Sequence, residues 1–417
     1  MKSHKTIGFH YGYVIVACCF LIMFVIVGLV MSCAGIFYKP VSEELGVDVG
    51  KFGLYMSLNF LFSTLTLSFA GKLLEKYSAR VILTLCSAMI AATFMMMSLF
   101  SAVWQFYVTG AVFGIMLAFL LYLGFPTLLN RWFKTRMGFF IGICSAGSGI
   151  GGVLFNPLAG FLITEYGWRM TYLIFGIIIM VIVTPILGLL LRDYPEDKGL
   201  KPYGESELSD TVPSRSDGKQ STGDGIEYAR AVRMPIFYGL IVFAFLMNAT
   251  ATLNVFVPTY MQEILFSVEQ ASFVASAVMV GKVLLGMIND RSTLYGILTT
   301  IGLGILGLVL LLMGHIGITL SIIGGFLFGW AYAGVSVQTP MLVRSVFGNK
   351  NYARIYSNVS MAIAIGGAIA AGGWGLLADV TSYGFIFIVG IVFLVLSGSI
   401  GLFALYIRRK NMRRQAA

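Results

Sequence analysis

Lys282 is the residue of this sequence whose setting most constrains its chemistry. It is the one charged residue in an apolar run, 270–289, and on a helix it stands about 12 Å from Asp290 at the end of that run. Burying a cation there costs several kcal/mol, so it is expected to hold an anion. The alternative is a side chain that snorkels to the membrane edge or pairs with Asp290. No acid stands near the middle of another apolar run, because Glu75, Asp290 and Asp379 all fall at run ends. A single cation with no acidic partner suits a monoanion, which neutralises the site on binding. A desolvated lysine can also give up its proton, which leaves proton coupling through Lys282 itself open.

Residues able to complete a cavity around such an anion are Asn59, Asn156, Asn248, Asn254, Gln338 and Asn358, with Tyr122, Trp330 and Tyr332. Each alone is as well explained by hydrogen bonding between helices. Tyr122, Asn254 and Gln338 are the substrate-contact candidates beside Lys282. Cys18, Cys19, Cys33, Cys86 and Cys144 lie in apolar runs without metal-ligand spacing, so free buried thiols are expected and no metal or cofactor. Gly142, Gly147, Gly149, Gly151 and Gly152 read as close helix packing. They are no phosphate loop, because the lysine and hydroxyl that end one are missing. With no cluster of His, Cys or carboxylates, catalysis is not expected.

The elements that position these residues must cross a bilayer. The chain has 417 residues, is 58% hydrophobic and only 11% charged, with a mean hydropathy of +0.89. Soluble domains carry about 25% charged residues, so lipid must cover what charge cannot. The net charge of +10 sits in short clusters between apolar runs, which is membrane topology and not a nucleic-acid patch. Runs near the 20 residues a span needs give twelve candidate helices. The first six are 13–37, 52–71, 80–100, 104–129, 138–164 and 169–191. The second six are 235–260, 270–289, 294–313, 316–342, 355–378 and 384–407. The first reads as an uncleaved helix, too long for a signal peptide. Asn156-Pro157 and Thr339-Pro340 mark expected kinks.

These runs form two halves, 1–191 and 235–417, around a polar stretch, 192–234, that reads as a flexible linker on the cytoplasmic side. Placing both termini inside leaves only Lys39, Lys51 and Arg169 outside, and gathers Lys72/Lys76/Arg80, Arg131/Lys134/Arg136 and Arg344/Lys350/Arg354 on one face. The basic tail from Arg408 reads as an anchor to anionic lipid. The halves echo each other: Gly71-Lys-Leu-Leu-Glu75-Lys76 after the second helix matches Gly286-Met-Ile-Asn-Asp290-Arg291 after the eighth.

With these features the chain resembles the major facilitator superfamily, whose loop signature is matched loosely by Gly71, Leu73, Glu75, Lys76 and Arg80. The resemblance implies an all-α membrane fold of twelve helices in two pseudo-symmetric six-helix bundles. It also implies that Gly71, Glu75, Lys76, Arg80, Gly286, Asp290 and Arg291 form cytoplasmic gating loops. Asn130-Arg131-Trp132-Phe133, leading into the Gly-rich fifth helix, is similar to the oxalate:formate antiporter and monocarboxylate transporter group. In that group an Arg holds the substrate carboxylate from the position that Lys282 occupies here. Tyr122 matches a substrate-contacting Tyr of the oxalate transporter. Two departures stand out: Ile363 replaces a second basic residue, and Val278 replaces an acid. The resulting expectation is a plasma-membrane carrier of a small organic anion, working as a monomer by antiport or proton symport. Export of amphipathic drugs is the alternative.

Overall fold

The computed structural model describes residues 10–47, 49–205, 225–264, 274 and 282–416, and all its regular elements are helices. Ten helical stretches among the described residues are long and apolar enough to cross a membrane. One of them, Met137–Leu190, is two spans that meet at Gly167, whose φ of 78° breaks the helix. The eighth span is described mainly from Lys282 onward, so Val278 lies outside the described residues. The fold is therefore the expected twelve-helix arrangement in two bundles. We number the spans α1 (12–45), α2 (Val49–Lys76), α3 (Ala79–Met97), α4 (Val103–Trp132), α5 (137–166) and α6 (168–190). The second half continues with α7 (235–263), α8 (Lys282–Arg291), α9 (Thr293–Leu312), α10 (Ile318–Phe347), α11 (Tyr352–Val380) and α12 (Tyr383–Ala416).

The two halves repeat local features that the loop motifs only hinted at. In α4 a wide π-helical turn, Ala118–Gly124, precedes Pro126 and a short helix ending at Arg131 and Trp132. In α10 a π turn, Gly334–Gln338, precedes Pro340 and a short helix carrying Arg344. Proline supplies no N–H, so a widened turn just before it lets the chain change direction without orphaning a donor. The residues that start α5 and α11, Arg136 and Asn351, have φ of 55° and 51°. These are the two non-glycine residues with positive φ among those described. Such backbone is costly for a branched side chain, and its appearance at the same place in each half marks a shared tight entry.

The linker stretch is not free at its ends. Tyr203 exchanges backbone hydrogen bonds with the loop between α4 and α5, its N–H donating to Trp132 O and its carbonyl accepting from Lys134 N. Ile226 N donates to Phe347 O, beside Gly225 and Gly348 in the matching loop of the other half. Asp193 caps α3, accepting from Ala79 N at 3.0 Å and Arg80 N at 2.7 Å. Too little apolar surface to fold alone was the expectation. These segments fold because the helix ends supply the partners they lack.

Candidate functional site

Small residues let the halves touch. A Cβ on Gly71 of α2 would come within 2.7 Å of Ala353 O and 2.8 Å of Arg354 Cα on α11. On the other seam, a Cβ on Gly138 of α5 would strike the carbonyl of Gly286 of α8, and one on Gly286 would strike that of Gly138. One turn further along, a Cβ on Gly142 would lie 2.6 Å from Lys282 O. Ser357 Oγ of α11 donates to Leu67 O of α2. These approaches run from the level of Lys282 to the side on which the linker lies. The conformation described is thus sealed on the linker side.

Of the expected gating residues, Gly71, Glu75, Gly286 and Asp290 reach the other half. Asp290 accepts from Gly138 N at 2.6 Å and Phe139 N at 2.8 Å, donors at the start of α5 that have no acceptor within their own helix. At the matching corner, Asn351 Nδ2 reaches Glu75 Oε1 at 3.4 Å. Lys76 lies 5.4 Å from the Tyr77 ring and Arg80 Nε donates to Gly188 O, both within the first half. Arg291 is exposed. Arg344 crosses the seam and donates to Phe133 O and Lys134 O. The motif comparison did not single it out for this role, and only its place beside the π turn of α10 would have pointed to it.

Lys282 is 5% exposed and faces the other half. Its ammonium donates to Ser145 O and Ser148 Oγ of α5, both at 3.2 Å, and lies 5.2 Å from the ring of Tyr332 on α10. It neither snorkels to the surface nor pairs with Asp290, whose oxygens are taken by α5. All three of these partners are neutral. Nothing in the spacing of Ser145 and Ser148 within the glycine-rich α5 distinguishes a cation's partner from an ordinary small residue.

The other candidates are dispersed around this point. Gln338 is fully buried and accepts from Asn289 Nδ2 at 2.8 Å, which ties α10 to α8 inside the second half. Tyr122 is half-buried in the π turn of α4, which packs on α11. Asn254 lies in the outer part of α7, where its buried Oδ1 has no hydrogen-bond partner, and the buried Trp330 Nε1 is in the same position. Asn248 donates to Ile363 O at 2.7 Å, at the position where a second basic residue was missing. Asn156 and Asn358 donate to carbonyls of their own helices. Asn59 accepts from Ser63 within α2.

The family model described as Major Facilitator Superfamily matches residues 20–321 and 253–417. The chain belongs to the Major Facilitator Superfamily. Among relatives in this superfamily, the uncharacterized MFS-type transporter YcxA of Bacillus subtilis (strain 168) is 23% identical over 382 residues, 88% of either chain. Monocarboxylate transporter 12 of Rattus norvegicus is 23% identical over 68% of this chain and 62% of its own. Multidrug resistance protein MdtG of Citrobacter koseri is 30% identical over 31% of this chain and 32% of its own. The solved E. coli fucose:proton symporter FucP covers 95% of this chain and 99% of its own, with a TM-score of 0.65 at 13% identity. That likeness is one of fold. As a member of the superfamily this chain is a membrane transporter.

Proposed function

We propose that this transporter is a secondary carrier of a small organic monoanion, with monocarboxylates the first class to test. It would work by alternating access, as the two halves rock about the level of Lys282. One observation carries the reading: a buried cation on the seam between the halves whose partners are all neutral. An arriving carboxylate would replace uncharged acceptors with a charged one, and a charge-assisted bond is about twice as strong as a neutral one. Tyr122, Asn254 and Gln338 are proposed as further contacts through their O–H and N–H groups, since a carboxylate only accepts, and the buried Gln338 Nε2 is a donor already left without a partner. The distribution of Lys and Arg supports an orientation with the linker side and both termini in the cytoplasm, and the plasma membrane is the proposed location. The site lies within one chain, so a monomer would suffice. A proton or a counter-anion is the coupled species, and bilayer lipid is the surrounding partner. No cofactor, metal or nucleic acid enters the scheme.

The test is uptake into proteoliposomes of labelled formate, acetate, lactate and pyruvate by the native chain and by Lys282→Ala. We expect carriage of at least one of them, reduced at least tenfold in the variant. Undiminished anion transport by Lys282→Ala would overturn the role of the lysine. Export of amphipathic drugs is the second reading, favoured by the multidrug resistance relatives, whose matches span about a third of this chain. Transport of cationic dyes with no carboxylate uptake would establish it instead.

A further inference from the structure

We infer that Lys282 itself carries the proton that moves with the substrate anion. This rests on the reading above and adds to it the coupling ion and its carrier. A fixed cation in a seam that closes must be neutralised by a substrate, paired with an acid, or relieved of its proton. Among the described residues, no acid faces it. The helices packed on α8 are α5, α9 and α10. From α5 it meets the neutral Ser145 and Ser148, and from α10 the Tyr332 ring. The one ionisable residue of α9 is Tyr295, which lies near the end of the helix and is exposed. On α8 itself, Asp290 is held by Gly138 and Phe139, and Arg291 lies beyond it. Glu269, thirteen positions before Lys282, lies outside the described residues.

The neighbours of Nζ suit both forms of the side chain. Ser148 Oγ accepts from the ammonium, and its own hydroxyl donates to Ser145 O at 2.9 Å. If the amine loses its proton, the same hydroxyl can turn and donate to the nitrogen lone pair. In one cycle, Nζ takes a proton from water on the loading side and the ammonium binds the carboxylate. The loaded, neutral pair crosses, the anion leaves, and Nζ releases its proton to water on the far side. The empty carrier then returns with a neutral amine. One proton and one monoanion move per turn, with no net charge.

Arginine separates binding from proton release, because it keeps the positive charge and does not deprotonate in proteins. In proteoliposomes, net uptake driven by an inward proton gradient is compared with exchange against preloaded anion. The probe is whichever of formate, acetate, lactate and pyruvate the native carrier takes up fastest. The native protein should show both modes, with one proton per anion by a trapped pH dye and no response to an imposed membrane potential. Lys282→Arg should lose at least tenfold more of its net uptake than of its exchange. Proton-driven net uptake by Lys282→Arg at the native rate overturns the inference while leaving anion binding intact. Native transport that is strict exchange, or that follows the membrane potential, overturns it as well. If Lys282→Arg is inert in both modes, Ser148→Ala decides. It should shift the pH midpoint of net uptake by at least half a unit more than that of exchange, and an unshifted midpoint counts against the inference. Absence of any carboxylate transport by the native chain would instead defeat the underlying reading.

Discussion

At the residue scale, the polar groups buried in the helices divide by what they already hold. Gln338 gives its Oε1 to Asn289 while its buried Nε2 has no partner, and the pair lies so close to α9 that a Cβ on Gly296 would overlap the Asn289 amide. Replacing Gln338 with Leu removes the acceptor from a buried N–H, a loss of about 1–3 kcal/mol. We expect Gln338→Leu to lower the melting temperature of the detergent-purified protein. Unchanged melting with a raised KM for the anion would instead make Gln338 a substrate contact. Asn254 differs, because its Oδ1 has no partner to lose. Asn254→Ala is therefore expected to leave melting within about 0.5 kcal/mol of native, the range of substitutions that break no interaction. Its effect should fall on anion uptake, and a large drop in stability would show that it packs and does not bind.

At the element scale, the crossing of α5 on α8 depends on glycine for distance. Gly138, Gly142 and Gly286 each put a would-be Cβ against backbone atoms of the opposing helix, which cannot move aside as a flexible side chain can. Gly142→Val should therefore keep the seam from closing while leaving each bundle intact. The expected result is a folded protein by gel filtration with transport reduced at least tenfold. Native transport would mean that α5 and α8 close at some other register. Gly167 plays a different part, since a Cβ there meets open space and the residue is needed for its positive φ. The run of small residues in α5 thus serves contact, and the single glycine after it serves the turn into α6.

For the whole molecule, the closed linker side rests on Asp290 at the start of α5 and on Arg344 across the α4–α5 loop. Asp290→Ala orphans two buried N–H groups at about 1–3 kcal/mol each and should open this side. Asp290→Asn keeps an acceptor and should stay closed. Spin labels at the exposed positions Lys72, on the first half, and Arg230, on the linker end that docks on Asn351 of the second, report the difference as a longer distance in the Ala variant. Equal opening by Asn and Ala would show that the charge is what holds. At the other corner, Lys350 lies beside Glu227 and holds that carboxyl below the usual range, so that exposed pair gives way only in stronger acid.

Twelve spans, two halves and a lone intramembrane cation could be read without coordinates, because burial in lipid writes itself into long apolar runs. A charge inside such a run stands out against them. The Gly-x-x-x-acid-base echo placed Gly71, Glu75, Gly286 and Asp290 at equivalent corners for the same reason. What Lys282 touches was decided only by the fold. Ser145 and Ser148 lie more than 130 positions away, and a serine in a Gly-rich helix looks the same whether it packs or accepts a proton donor. The docking of Tyr203 and Ile226 on opposite loops was equally hidden, since backbone pairing carries no side-chain signature. The hydrophobic pattern along the chain settled how many helices there are and which faces seek lipid. Which helices of the two halves meet, and through which glycines, depended on tertiary packing, where contact is a matter of shape and no longer of hydropathy.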